Sequence, residues 1–176
     1  PPGTALQLSN GTTVRYAQLF KCEQVLRSDC NRGVSGIDGS TSTAAGAACV
    51  GEGMTVLITG DMSFSYDVNG LSSTYLSPRF KIIVMCNGGG GIFRFIKPTS
   101  DLPELETCFE IHRDISVEKY ADLFGLCYFE LNDEKSAAEV LSLFFAEKDR
   151  PAILAVHTPN VYNAEVLRGY FRRSRQ

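Results

Sequence analysis

Two residues suited to a hard cation stand at the ends of two apolar runs. Asp61 follows MTVLITG (54–60), and Asn87 follows KIIVMC (81–86). Residues 54–86 read as strand, helix and strand, the size of one βαβ unit. The two strands of such a unit are parallel, so their carboxyl ends share one edge of the sheet, where open α/β sheets bind ligands. A carboxylate and an amide oxygen presented together there form an oxygen-only donor pair. Mg²⁺ is typically held by such a pair, some waters and the phosphates of a bound ligand. Gly60 and the run from Gly88 to Gly91 leave room for backbone groups to reach metal and phosphate. The spacing therefore predicts a magnesium–diphosphate site at residues 60–65 and 87–92. Each part alone has a plainer account: a glycine run after a strand is a turn, and an Asp there is a helix cap. Their combination at a separation of 26 residues favours the site. No G-x-G-x-x-G opens a helix and no Walker Lys-Ser/Thr is present.

These residues need a sheet to position them. Apolar runs lie at 4–8, 54–60, 81–86, 126–131 and 152–158, with a weaker sixth strand just before Cys30. Between them lie amphipathic or small-residue stretches at 12–27, 35–50, 65–77, 116–125, 134–148 and 160–171. In 134–148, Ala137, Val140, Leu141 and Phe144 recur at helical spacing. The alternation predicts an α/β domain with a mostly parallel, about six-stranded sheet and helices on both faces. The 42–48 stretch is almost wholly small side chains and suits close packing, and its entrance NRGVSGIDG (31–39) reads as a functional loop. Residues 97–114 read as an irregular surface crossing.

The 176 residues, 44% hydrophobic and 21% charged, fit one domain with a sizeable core. A net charge of −3 implies no general affinity for nucleic acid. No apolar run approaches the roughly 18 residues of a membrane span. The opening PPGTALQLS has no initiator Met or signal-like stretch and reads as a chain entered midway, so that residues 1–176 form a single domain of a longer, multidomain protein. The six cysteines form no CxxC pair and read as buried, reduced thiols of a cytoplasmic protein. His112 and His157 belong to no triad or metal cluster and read as structural.

The pair GD (60–61) and NGG (87–89) resembles the cofactor motif of thiamine-diphosphate enzymes, which opens GDG and closes with NN or a variant. Within that superfamily NRGVSGIDGSTSTAAG (31–46), TGDMSFSYDVNGL (59–71) and CNGGGGIFRF (86–95) resemble the C-terminal, diphosphate-binding domain of the 2-succinyl-5-enolpyruvyl-6-hydroxy-3-cyclohexene-1-carboxylate synthases. The likeness runs from about residue 6 to the end and is densest over 31–95. It implies a thiamine-diphosphate-binding fold and a bacterial, cytoplasmic transferase of menaquinone biosynthesis. That enzyme decarboxylates 2-oxoglutarate and joins the product to isochorismate.

By that resemblance Asp61, the Asn87 side chain and the Gly89 carbonyl hold Mg²⁺, with Mn²⁺ an alternative, and Gly60, Met62 and Ser63 meet the diphosphate. Ile37 is the apolar wedge that keeps the cofactor bent, while Ile92 and Phe93 wall the reacting carbon. Arg15 and Arg32 position isochorismate, as forked guanidinium donors suit a dicarboxylate. The chain departs from the family at Gly11, where a small hydroxyl is usual, at Met62, which makes GDM of GDG, and at Gly88. The activating Glu of these enzymes sits on a separate pyrimidine-binding domain of a neighbouring subunit. No catalytic residue is therefore expected within this chain, which alone should be inactive, and the parent should be a homodimer or homotetramer. The alternatives are another thiamine-diphosphate carboligase or 2-oxo acid decarboxylase, acetolactate synthase-like, and a non-catalytic binding module.

Overall fold

A computed structural model describes residues 1–173. Six strands form one sheet: β1 (Thr4–Leu8), β2 (Val25–Cys30), β3 (Thr55–Gly60), β4 (Phe80–Cys86), β5 (Cys127–Leu131) and β6 (Ala152–His157). Their order is β2-β1-β3-β4-β6-β5, and every neighbouring pair is parallel. The helices are α1 (Thr12–Ala17), α2 (Ser40–Val50), α3 (Asp61–Tyr66), α4 (Val117–Phe124), α5 (Ala137–Ala146) and α6 (Asn160–Arg173). The expected α/β class, parallel sheet and strand count are all present.

Central strands buried on both faces read as unbroken apolar runs, and β3, β4 and β6 carry them. The pleat sends Ile82 and Val84 of β4 to one face, where they pack with Leu57, Phe64 of α3, Ala121 of α4 and three alanines of α2. Ile83 points to the other face, towards Phe145 of α5. On that side Val140, Leu141 and Phe144 of α5 pack over Leu154 and Phe129, which accounts for the 137–144 periodicity. The small residues of α2 permit its contact with the 3₁₀ turn Val68–Ser72. A Cβ on Gly70 would lie 2.8 Å from the Ser42 backbone, and Asp67 accepts from Ser42 N–H and Oγ–H at 2.7 Å each. α4 starts at the Ser116 cap and ends at Gly125 (φ 69°), a left-handed stop that favours glycine.

Several boundaries differ from the sequence-based expectation. The helix expected over 12–27 stops at Ala17, because residues 25–30 pair with β1 instead. Leu26, Arg27 and Ser28 are exposed on this edge strand, the weaker strand expected just before Cys30; no continuous apolar run marks it, and long-range pairing overrides the local pattern. The helix expected over 65–77 is α3, starting at Asp61, followed by the 3₁₀ turn. Residues 97–114 are more ordered than expected, with a 3₁₀ turn at Thr99–Asp101 and a π-helix at Leu105–Glu110. The thiols are not a buried set: Cys22, Cys49 and Cys108 are exposed and Cys30, Cys86 and Cys127 half-buried, all free. His157 meets Glu130 at 3.0 Å, a partner outside the site.

β1 connects outward to β2 on one side and β3 to β4 on the other. This reversal opens a crevice at the carboxyl ends of β1 and β3, the expected place for a ligand.

Candidate functional site

Asp61 is the first residue of α3 and is only 2% exposed. Its Oδ2 accepts from the N–H of Asn87 (3.0 Å) and Gly88 (2.7 Å), and its Oδ1 from the N–H of Met62 (2.7 Å). The side chain thus staples β3 to the end of β4, as the βαβ spacing required. Burial pushes the Asp61 carboxyl above the usual range, and the hydrogen bonds from Gly88, Met62, Asn87 and Gly89 pull it partly back. Among the described residues no cationic side chain bonds to it, so a bound cation is the natural complement to its charge.

Asn87 supplies the second oxygen. Its Nδ2 donates to Asn160 Oδ1 at 3.1 Å, and Asn160 Nδ2 donates to Glu110 Oε1 at 2.9 Å. Glu110, clamped by Arg94, offers only acceptors, so Asn160 must turn its NH₂ towards it and its oxygen towards Asn87. Asn87 then faces Asn160 with its NH₂. Its own Oδ1 lies 3.2 Å from Asp61 Oδ1 and 3.0 Å from the Gly89 carbonyl oxygen. Reversing the Asn87 amide alone would give hydrogen bonds to those two atoms but set oxygen against oxygen at Asn160, 3.1 Å away. Three acceptors thus converge with no proton between them. Octahedral Mg²⁺ with ligands at 2.0–2.1 Å sets adjacent oxygens about 3 Å apart, so this trio fits a hard divalent cation. Among the described residues no group of three His, Cys, Asp or Glu side chains offers a rival metal site.

The glycines after Asn87 admit a covering segment. Gly90 N–H donates to Glu110 O (2.8 Å) and Arg113 N–H to Gly88 O (3.1 Å), so residues 110–113 lie along the loop. Gly88 (φ 82°) and Gly89 (φ 149°) adopt backbone that favours glycine. A Cβ on Gly88 would meet the His112 ring at 2.6 Å, and one on Gly89 the Glu110 carbonyl oxygen at 2.3 Å. At Gly91 a Cβ would lie 2.3 Å from Asn160 Oδ1 and 2.4 Å from Asn87 Nδ2. The run is set largely by protein packed on its outer side.

On its inner side lies a cavity of about 610 Å³. The structure brings to it every residue singled out from the sequence: Gly60, Asp61, Met62, Ser63, Asn87, Gly89, Ile37, Ile92, Phe93, Arg15 and Arg32. Ser63 Oγ–H donates to Ile37 O at 2.7 Å, tying α3 to the loop that presents the Ile37 side chain. Arg32 donates to Asn10 Oδ1 at 2.8 Å, while Arg15 is exposed at the rim.

Four contributors escaped the sequence. Asn10 follows β1 as Asp61 follows β3, and its Nδ2 donates to Asn31 O and Gly36 O at 2.7 Å each, pinning the 31–36 loop. Asn160 follows β6, whose His157 pairs with Cys86 at the end of β4. The signal for both was an amide residue just past a strand. Glu110 and Arg94 had no such signal, being joined by tertiary packing alone.

An all-parallel α/β sheet with an oxygen-lined pocket beside an apolar-walled cleft is consistent with the thiamine-diphosphate-binding class of domain. The chain is a homologue of the 2-succinyl-5-enolpyruvyl-6-hydroxy-3-cyclohexene-1-carboxylate synthases. It is 46% identical over 172 residues to the synthase of Porphyromonas gingivalis, covering 97% of this chain and 30% of that protein. Against the Flavobacterium johnsoniae synthase it is 44% identical over 98% of the chain and 31% of the relative. For Christiangramia forsetii the figures are 40%, 97% and 30%. The chain thus spans about 30% of the length of these relatives. No family model matches it.

Proposed function

We propose that residues 1–176 are the diphosphate- and metal-binding domain of a longer thiamine-diphosphate-dependent carboligase. In this reading the enzyme decarboxylates 2-oxoglutarate and adds the resulting four-carbon unit to isochorismate, a step of menaquinone biosynthesis in the bacterial cytoplasm. The homology over nearly the whole chain supports it. Among the described residues no helix is long and apolar enough to cross a membrane.

The observation that carries the assignment is the convergence of Asp61 Oδ1, Asn87 Oδ1 and Gly89 O with 3.0 and 3.2 Å between neighbouring oxygens. These atoms would hold Mg²⁺ or Mn²⁺, and the metal would bind the cofactor's diphosphate. Gly60, Met62 and Ser63, at the start of α3, would lie beside that diphosphate. When bound, thiamine diphosphate supplies the electron sink for decarboxylation and carbon–carbon bond formation. This chain's own residues bind and orient. Ile37 stands as the wedge beneath the cofactor, Ile92 and Phe93 exclude water from the reacting centre, and Arg15 and Arg32 offer paired donors to the carboxylates of isochorismate. The proton-handling Glu belongs in this scheme to a pyrimidine-binding domain of a neighbouring subunit. The domain alone is then inactive and the full enzyme a homodimer or homotetramer.

Calorimetric titration of the full-length enzyme with thiamine diphosphate, with and without Mg²⁺, tests the assignment. Binding should require the metal and be lost in Asp61→Ala. Metal-independent binding that survives the substitution would overturn it.

A further inference from the structure

We infer that Asn160, held by Glu110 and Arg94, is the positioning residue that turns the Asn87 amide oxygen towards the cation. The inference rests on the metal site proposed above and extends it to residues that touch neither metal nor cofactor.

The chain of bonds is directional. Arg94 Nε donates to Glu110 Oε1 at 2.7 Å, and its Nη2 pairs with Glu110 Oε2 and with Glu106 Oε1. Glu110 is 5% exposed, so its carboxylate is a fixed, well-shielded acceptor. It takes the Asn160 NH₂, which leaves the Asn160 oxygen to take the Asn87 NH₂. Arg168 of α6 donates to Arg94 O at 2.7 Å, so the helix that begins with Asn160 also grips the arginine that starts the chain.

Without this chain Asn87 has a competing state. Its NH₂ can swing to Asp61 Oδ1 and Gly89 O, at 3.2 and 3.0 Å. That state satisfies all three groups and closes the pocket to a cation. The bond to Asn160 opposes it, because the swing would set two oxygens 3.1 Å apart. Any free energy by which Asn160 disfavours the closed amide appears directly as metal affinity. Partners of this kind, one bond removed from a metal ligand, typically change metal affinity ~10–100-fold when lost.

The test is Mn²⁺ binding to the full-length enzyme with saturating thiamine diphosphate, read by electron paramagnetic resonance of the free ion. Asn160→Ala should weaken Mn²⁺ binding by about 10-fold or more. Asn160→Asp should also weaken it, since two carboxylates then face each other. Asn160→Leu, close in size but without an acceptor for the Asn87 NH₂, should weaken it as much as Asn160→Ala does. An Asn160→Ala enzyme within twofold of wild type would overturn the inference. So would an Asn160→Leu enzyme within twofold of wild type, a comparison that also decides the matter if Asn160→Ala does not fold. If wild type itself takes up no Mn²⁺, the metal site fails rather than its positioning.

Discussion

Asn160 accepts from Asn87 Nδ2 at 3.1 Å, and this bond decides which end of the Asn87 amide faces Asp61. The two residues lie 73 positions apart in sequence and meet because β4 and β6 are neighbours that end level. The cation pocket proposed between β3 and β4 would thereby be governed from a residue late in the chain.

Gly91 packs directly against that contact. Gly91→Ala puts a methyl group 2.3 Å from one amide and 2.4 Å from the other, and the end of a side chain yields more readily than backbone. Mn²⁺ affinity should fall about 10-fold or more, while the metal-free protein should melt within a few degrees of wild type. Paired metal titration and thermal melts check this; unchanged affinity would show that the amide contact is dispensable.

Asp61 is a buried carboxylate whose pKa is raised by desolvation. A carboxyl raised in the folded state is destabilising at neutral pH, and that cost is relieved as pH falls through its folded value. Asp61→Asn should therefore leave the metal-free protein at least as resistant to urea at pH 7 as wild type, while abolishing metal-dependent cofactor binding. A large loss of metal-free stability would mean that the bonds to Asn87 and Gly88 outweigh the desolvation.

Lys81 lies in the central strand β4, fully buried, with its Nζ donating to Glu147 O at 2.7 Å. Desolvation lowers its pKa, partly opposed by the Glu147 carboxylate. The folded state thus releases this proton before the unfolded chain does, near pH ~10.4, so wild-type stability should gain from this group as pH rises between the two values. Lys81→Met removes the titration. Urea midpoints at pH 7, 8.5 and 10 should show wild type gaining on the variant; the reverse trend would mean the charge is favoured inside.

Arg32 faces the cleft and is braced by Asn10 at 2.8 Å. Losing one well-oriented guanidinium–carboxylate contact costs about 1.5–3 kcal/mol. In the full-length enzyme Arg32→Ala should therefore raise the apparent KM for isochorismate at least tenfold, with the KM for 2-oxoglutarate much less affected. Equal effects on both would redirect the assignment to another carboligase.

The parallel sheet was legible because β3, β4 and β6 are apolar on both faces, and a βαβ unit puts Asp61 and Asn87 on one edge by geometry. The edge strand β2 was only weakly legible, as a faint strand just before Cys30, since its exposed residues look helical or loop-like. The convergence of Asp61, Asn87 and Gly89 was legible for the same reason as the sheet: each member follows a strand. The Arg94–Glu110–Asn160 chain was not, because a π-helix and a distant helix start converge only through tertiary packing. The glycine run illustrates both cases. Its backbone could be anticipated, but the segment at 110–113 that presses on it could not.

In the proposed function three oxygens of this chain bind one divalent cation. Anomalous diffraction at the manganese edge, from crystals of the full-length enzyme with thiamine diphosphate and Mn²⁺, tests it most directly. One peak is predicted in each site, about 2.1 Å from Asp61 Oδ1, Asn87 Oδ1 and Gly89 O. A peak lacking those three contacts, or an Asn87 amide turned to hydrogen-bond Asp61 in the loaded enzyme, would contradict the account.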